Sequence, residues 1–125
     1  MTARPRALVL VVGPHVETRD LFDHVLGAAG YRVIGAERID QALAIADAIA
    51  FDLVVIDVDP PGPDGSELAQ SLHAQGRRRP RLLAVTGHSP EDTSTETVLF
   101  DAYLIKPCPP EKLIAVVMDL LAKRG

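Results

Sequence analysis

Apolar residues in this chain fall into two kinds of run. Five are short and nearly continuous: Ala7–Val12, Arg32–Ala36, Leu53–Asp57, Arg81–Thr86 and Ala102–Ile105. They are rich in Val, Ile and Leu with little alternation, the pattern of parallel strands covered on both faces. Between them, apolar residues recur at helical spacing. Leu21, Phe22, Val25, Leu26 and Ala29 predict a first helix stopped by Gly30. Leu43, Ala46, Ile49 and Ala50 predict a second, from near Asp40 to Ala50. A third starts near Gly65 or Ser66, carries Leu68, Ala69 and Leu72, and ends at Gly76. Leu113, Val116, Val117, Leu120 and Leu121 predict a last helix from Glu111 to near Lys123. The segment Glu91–Phe100 is polar, with only Val98, Leu99 and Phe100 to bury, and reads as a marginal helix.

Repeated strand–helix alternation predicts right-handed crossovers and a doubly wound parallel sheet, an α/β fold. Such sheets bind ligands beyond the carboxyl ends of their strands, so chemistry is to be sought just after each strand.

Composition narrows the class without naming a function. A chain of 125 residues, 47% apolar and 24% charged, reads as one globular domain over 1–125 and excludes a disordered tail. No output domain is expected within it. A net charge of −4 gives no electrostatic reason to expect direct nucleic-acid binding. No apolar run approaches the roughly 18 residues of a membrane span, and Ala7–Val12 is too short for a signal-peptide core. The single cysteine, Cys108, suits a reducing compartment; the expectation is a cytoplasmic protein without membrane attachment. The ten prolines are placed one-sidedly: Pro5 and Pro80 precede apolar runs, while the other eight follow them. Proline cannot donate to a sheet ladder, so these residues stiffen the loops after the strands.

Three residues then stand at strand ends on that edge. Asp57 closes the third run and leads into the loop Val58-Asp59-Pro60-Pro61-Gly62-Pro63-Asp64-Gly65. Thr86 closes the fourth, and Lys106, followed by Pro107, closes the fifth. Together a carboxylate, a hydroxyl and an ammonium suit a phosphoryl group: nucleophile, hydrogen-bond donor and counter-charge. The bland alternative is three unrelated strand-end residues. His15 and His88 also follow strands and, with Asp57 and Asp59, would offer nitrogen and oxygen to a transition metal; loop histidines are more often simply solvated. The basic run Arg77-Arg78-Arg79-Pro80-Arg81 precedes a strand and so belongs at the opposite edge, as a solvated loop. Nothing beside Cys108 suggests an activated thiol.

The chain resembles the receiver domains of response regulators from two-component signalling, over essentially its whole length. The resemblance rests on Asp52-Leu-Val-Val-Ile-Asp57, the Pro61-Gly62-Pro63-Asp64-Gly65 loop, Thr86, and Tyr103-Leu104-Ile105-Lys106-Pro107. Gly30-Tyr31-Arg32-Val33 and Asp40-Gln41-Ala42-Leu43 add to it. It implies a flavodoxin-like, five-stranded sheet of order 2-1-3-4-5 flanked by helices, and a signalling module in place of an enzyme. It implies that Asp57 receives a phosphoryl group from a histidine kinase or phosphotransfer protein, with Thr86 and Lys106 contacting that group. Tyr103 would change rotamer to signal to a downstream effector protein or a second copy in a homodimer, and the peptide before Pro107 would be cis. Magnesium in that family is held with the help of two acidic residues after the first strand. Gly13 and Pro14 stand there instead, leaving Asp57, with Asp59 as the nearest acid able to add a carboxylate. Glu17 would reach the site only if the first loop were rearranged. That departure supports a second reading, a phosphorylation-independent interaction module of the same fold. A third, from another class, is suggested by Asp57-Val58-Asp59, which looks like the nucleophile motif of haloacid-dehalogenase-like phosphatases, although there it lies near the start of the chain.

Overall fold

The computed structural model describes residues 7–57, 68, 70–72, 80–87 and 100–122. Its elements run β1 (Leu8–Val12), α1 (Val16–Ala28), β2 (Arg32–Ala36), α2 (Ile39–Ala48), β3 (Leu53–Ile56), β4 (Arg81–Thr86), β5 (Ala102–Ile105) and a C-terminal helix, α3 (Pro110–Ala122). Leu68, Gln70, Ser71 and Leu72 are also helical. All four strand pairings are parallel, in the order β2-β1-β3-β4-β5.

The continuous apolar runs follow from burial on both faces. Along β1, Leu10 and Val12 point into one layer with Val54, Ile56, Ala42, Ala46, Leu68 and Leu72. Val9 and Val11 point into the other, with Phe22, Val25, Leu26, Leu113, Val117 and Leu120 of α1 and α3. Successive side chains of a strand alternate in direction, so a strand between two helical layers needs an apolar residue at every position.

Helix limits have local causes. Gly30, at φ 102°, ends α1: its N–H donates to the Gly27 carbonyl while that of Tyr31 donates to the Leu26 carbonyl. This paired closure needs a left-handed residue, which glycine supplies without strain. Pro110 opens α3, where a missing N–H costs nothing, and the Pro109 carbonyl accepts from Lys112 and Leu113.

Four apolar positions are not where helical spacing puts them: Leu21, Ile49, and Ala29 and Ala50, which lie exposed beyond the ends of α1 and α2. Leu21 is 53% exposed because the buried stripe of α1 centres on Phe22, Val25 and Leu26, a quarter-turn away. Ile49 is 39% exposed because α2 has already ended and Ile49 is extended, so helical spacing no longer governs it. The third helix beyond residues 68–72 and the marginal helix over 91–99 lie outside the described residues.

Candidate functional site

The ladder places the site. Val12 pairs with Ile56, and Ile56 with Ala84; one residue further on, the Asp57 N–H still donates to the Val12 carbonyl at 2.7 Å. Asp57 is thereby held rigidly just past the end of β3, between β1 and β4. Next door, the Lys106 N–H donates to the Thr86 carbonyl at 2.8 Å, tying the ends of β4 and β5 together.

Sheet order thus brings together residues far apart in sequence. Lys106 Nζ lies 2.6 Å from Asp57 Oδ1, with the Asp57 side chain 1% exposed and that of Lys106 35%. Among the described residues neither Asp57 oxygen accepts a directed hydrogen bond, so the lysine contact is an ion pair and not a cradle. A buried carboxylate normally collects several donors. Asp57 and Thr86 are the buried polar residues of the described core, and both sit at this end of the sheet. Tyr103, on β5, is half-buried with its ring edge-on to Phe100, centroids 5.4 Å apart. The Lys106–Pro107 peptide is cis, as the resemblance implies. Beyond it, burial pushes the Cys108 thiol up, only partly opposed by the Lys112 charge; such a thiol is not activated.

Gly13 closes the site on the β1 side. Its N–H donates to the Ala36 carbonyl, and a Cβ built on it would stand 3.0 Å from the Asp57 carbonyl oxygen, 3.2 Å from Asp57 Cβ and 3.4 Å from Oδ2. Only a residue without a side chain approaches Asp57 this closely without displacing it. Arg19, on α1, reaches back over this turn: its NH1 donates to the Gly13 carbonyl at 2.6 Å, and its Cδ lies 3.5 Å from where a Gly35 Cβ would stand.

These positions bear directly on the metal. Magnesium asks for octahedral oxygen ligation and usually more than one carboxylate. Asp57 is one carboxylate, already paired with a cation; Gly13 contributes no side chain, and its carbonyl is engaged by a guanidinium. Pro14, His15 and Glu17 are exposed. Among the described residues no group of three or more His, Cys, Asp or Glu converges on a possible ion. The described donors therefore do not fit a magnesium site. Asp59 and His88 lie outside the described residues, as do Arg77–Arg79. Arg81 is at the opposite edge, as its place in the sequence predicts, 3.7 Å from Asp101.

Sequence reasoning passed over three residues. Arg19 falls on the same stripe as Phe22 and Leu26, which is the signal that its side chain is directed inward. Asp52 and Asp101 each stand immediately before an apolar run, and each caps a neighbouring strand. Asp52 accepts from the Leu8 N–H and Asp101 from the Leu82 N–H, both at 2.8 Å.

The fold is a flavodoxin-like, doubly wound parallel sheet with Asp57, Thr86 and Lys106 at its carboxyl edge, where sheets of this class bind ligands. The chain belongs to the response regulator receiver domain family, whose profile matches residues 9–118. It is 31% identical to the phosphoglycerate transport system transcriptional regulatory protein PgtA of Salmonella typhimurium, over 93% of this chain and 28% of that protein. It is 30% identical to the phosphate regulon transcriptional regulatory protein PhoB of Pseudomonas aeruginosa, over 94% of this chain and 52% of the relative. The chain thus spans between about a quarter and a half of these relatives. Among solved structures, the chemotaxis response regulator CheY4 of Vibrio cholerae superposes with a TM-score of 0.83 at 28% identity, covering 93% of this chain and 99% of that one. The response regulator TrrA of Thermotoga maritima, solved in complex with Mg²⁺ and BeF, gives 0.80 at 25% identity, covering 91% and 98%. The protein is a receiver domain of the two-component response regulators.

Proposed function

We propose that Asp57 is the phosphoacceptor of this receiver. The observation that carries the reading is the 2.6 Å pairing of the Lys106 ammonium with a buried Asp57 carboxylate at the carboxyl end of the sheet. In that reading an Asp57 oxygen attacks the phosphorus of a phosphohistidine on a histidine kinase or phosphotransfer protein. The new P–O bond makes an acyl phosphate as the P–N bond breaks and the imidazole leaves. Lys106 then transfers its charge from the carboxylate to a phosphoryl oxygen, and the Thr86 hydroxyl donates to another. Movement of Thr86 and Lys106 alters the end of β5, and Tyr103, on that strand, carries the change to the face offered to an effector protein. The chain acts in this reading as one signalling unit in the cytoplasm and not as a catalyst of turnover. Among the described residues no helix is long and apolar enough to cross a membrane.

One observation favours a second reading, an interaction module that works without phosphorylation: Gly13 provides no carboxylate beside Asp57. Intact mass after incubation with a small phosphodonor separates the two. The expected result is the gain of one phosphoryl group, absent in Asp57→Asn. No gain with any donor or phosphotransfer partner would leave the interaction module.

A further inference from the structure

The described donors around Asp57 fall short of a magnesium site, and what stands in their place has a charge pattern of its own. One wall is Lys106, whose ammonium touches Oδ1. The opposite wall is Gly13, where a Cβ would come within 3.0 Å of the Asp57 carbonyl oxygen and 3.2 Å of its Cβ. Behind Gly13, the Arg19 guanidinium donates to the Gly13 carbonyl and so occupies that oxygen. A divalent cation entering here meets one carboxylate already paired with Lys106 and, among the described residues, no group of three or more His, Cys, Asp or Glu that could hold it. Oxygen-rich, negatively charged donors are what dehydrate magnesium, and this arrangement supplies the reverse.

The replacement is built into the packing. An aspartate at position 13 would begin with a Cβ only 3.0 Å from the Asp57 carbonyl oxygen, a backbone atom that the β1–β3 ladder holds in place. A side chain at position 13 therefore requires Asp57 or the turn to give by a few tenths of an ångström. Arg19 braces the same turn, with its head on the Gly13 carbonyl and its Cδ 3.5 Å from where a Gly35 Cβ would stand.

We infer that the Asp57 site of this receiver binds no magnesium: Lys106 meets the charge at Asp57, and the Gly13 turn, braced by Arg19, brings no acid to it. The inference takes Asp57 as the family's acceptor position but does not require that it be phosphorylated. Any phosphorylation of Asp57 proceeds equally with and without a divalent ion.

Metal binding is read directly by titrating the ¹⁵N-labelled chain with Mg²⁺, then with Mn²⁺, and following backbone amides. The expected result is no saturable shift and no selective broadening at Gly13, Asp57, Thr86 or Lys106 at millimolar metal. Saturable effects at these amides, abolished by Asp57→Asn, overturn the inference. If they are also abolished by Asp59→Asn, the missing ligand is Asp59. Pro14→Asp, at an exposed position, adds a carboxylate without entering the packed contact and is expected to bring in measurable Mg²⁺ binding; Gly13→Asp with Pro14→Asp should do so more strongly where it folds. If the wild type already binds as tightly as Pro14→Asp, the idea fails. Phosphodonor labelling repeated in chelator gives a separate readout: labelling that disappears with the metal overturns the inference while upholding Asp57 as acceptor. Metal-free amides with no labelling at all uphold the inference and remove the phosphoacceptor reading.

Discussion

Asp52 and Asp57 bracket the same strand, β3, yet the protein uses them in opposite ways. At the amino end, Asp52 accepts from the Leu8 N–H while its own N–H donates to the Leu8 carbonyl, closing β1 against β3. Asp101 does the same for Leu82, linking β5 to β4, with Arg81 alongside. These carboxylates satisfy strand-end amides that would otherwise lack a partner. At the carboxyl end, Asp57 is more deeply buried, accepts no directed hydrogen bond among the described residues, and faces a lysine. One end of the sheet is sealed; the other holds a buried carboxylate whose lysine partner is partly exposed to solvent. A group kept under-coordinated inside a fold costs stability, and that cost is characteristic of a site and not of a scaffold.

The largest expected effect tests the ion pair. Lys106→Met leaves the Asp57 charge buried without its cation. A fully buried pair loses about 3–5 kcal/mol on removal of one partner; with Lys106 35% exposed, a loss of about 2 kcal/mol is expected by denaturant unfolding. In an Asp57→Asn background the same substitution should cost almost nothing, and a double-mutant cycle measures the difference. Equal costs in both backgrounds would mean that Lys106 stabilises by packing alone.

Next comes the close approach at Gly13. Gly13→Ala places a Cβ 3.0 Å from the Asp57 carbonyl, and overpacking of this kind is expected to cost about 1–2 kcal/mol, with amide shifts concentrated at Asp57. An unchanged Tm would show that the turn relaxes freely.

At the sealed end, Asp52→Ala and Asp101→Ala each strand a half-buried N–H, an expected loss of about 1 kcal/mol apiece. Asp57 behaves differently in the same assay: Asp57→Asn removes a buried charge and should leave stability level or higher while abolishing phosphoryl transfer. If Asp57→Asn destabilises as Asp101→Ala does, the contrast between the two ends is lost.

The smallest effect lies on the surface. A side-chain hydrogen bond from Arg38 lowers the Asp40 pKa below its ordinary 3.8, helped by the Gln41 N–H at the start of α2. A carboxyl depressed in the folded state contributes stability above its unfolded pKa and loses it as pH falls through the lower folded value. The pH dependence of Tm below about 4 should therefore flatten slightly in Asp40→Asn, with no change near neutrality.

Much of this molecule is written locally. Uninterrupted apolar runs give buried parallel strands because each residue must face one of two helical layers, and Gly30 stops α1 because a left-handed residue was required there. The residue types at the strand ends already pointed to phosphoryl chemistry. Helix faces and ends were less legible: a one-residue offset turns a side chain such as Leu21 by about 100°, and Ile49 lies just past the end of α2, where helical spacing no longer applies. The roles of Asp52 and Asp101 were hidden because a capping carboxylate acts on a strand far away in sequence.

What the sequence determined by itself was the order of strands and helices and the identities of Asp57, Thr86, Lys106 and Tyr103. It also showed that no acid stands at position 13 or 14. Only the tertiary structure decided what that absence means. Asp57 and Lys106 become an ion pair because parallel order places β3 and β5 on either side of β4. A side chain at 13 becomes a tight fit because the ladder seats Asp57 where a Cβ on Gly13 would stand 3.0 Å from its carbonyl oxygen. Distances between strand ends follow from sheet register, and no property of a single residue carries them.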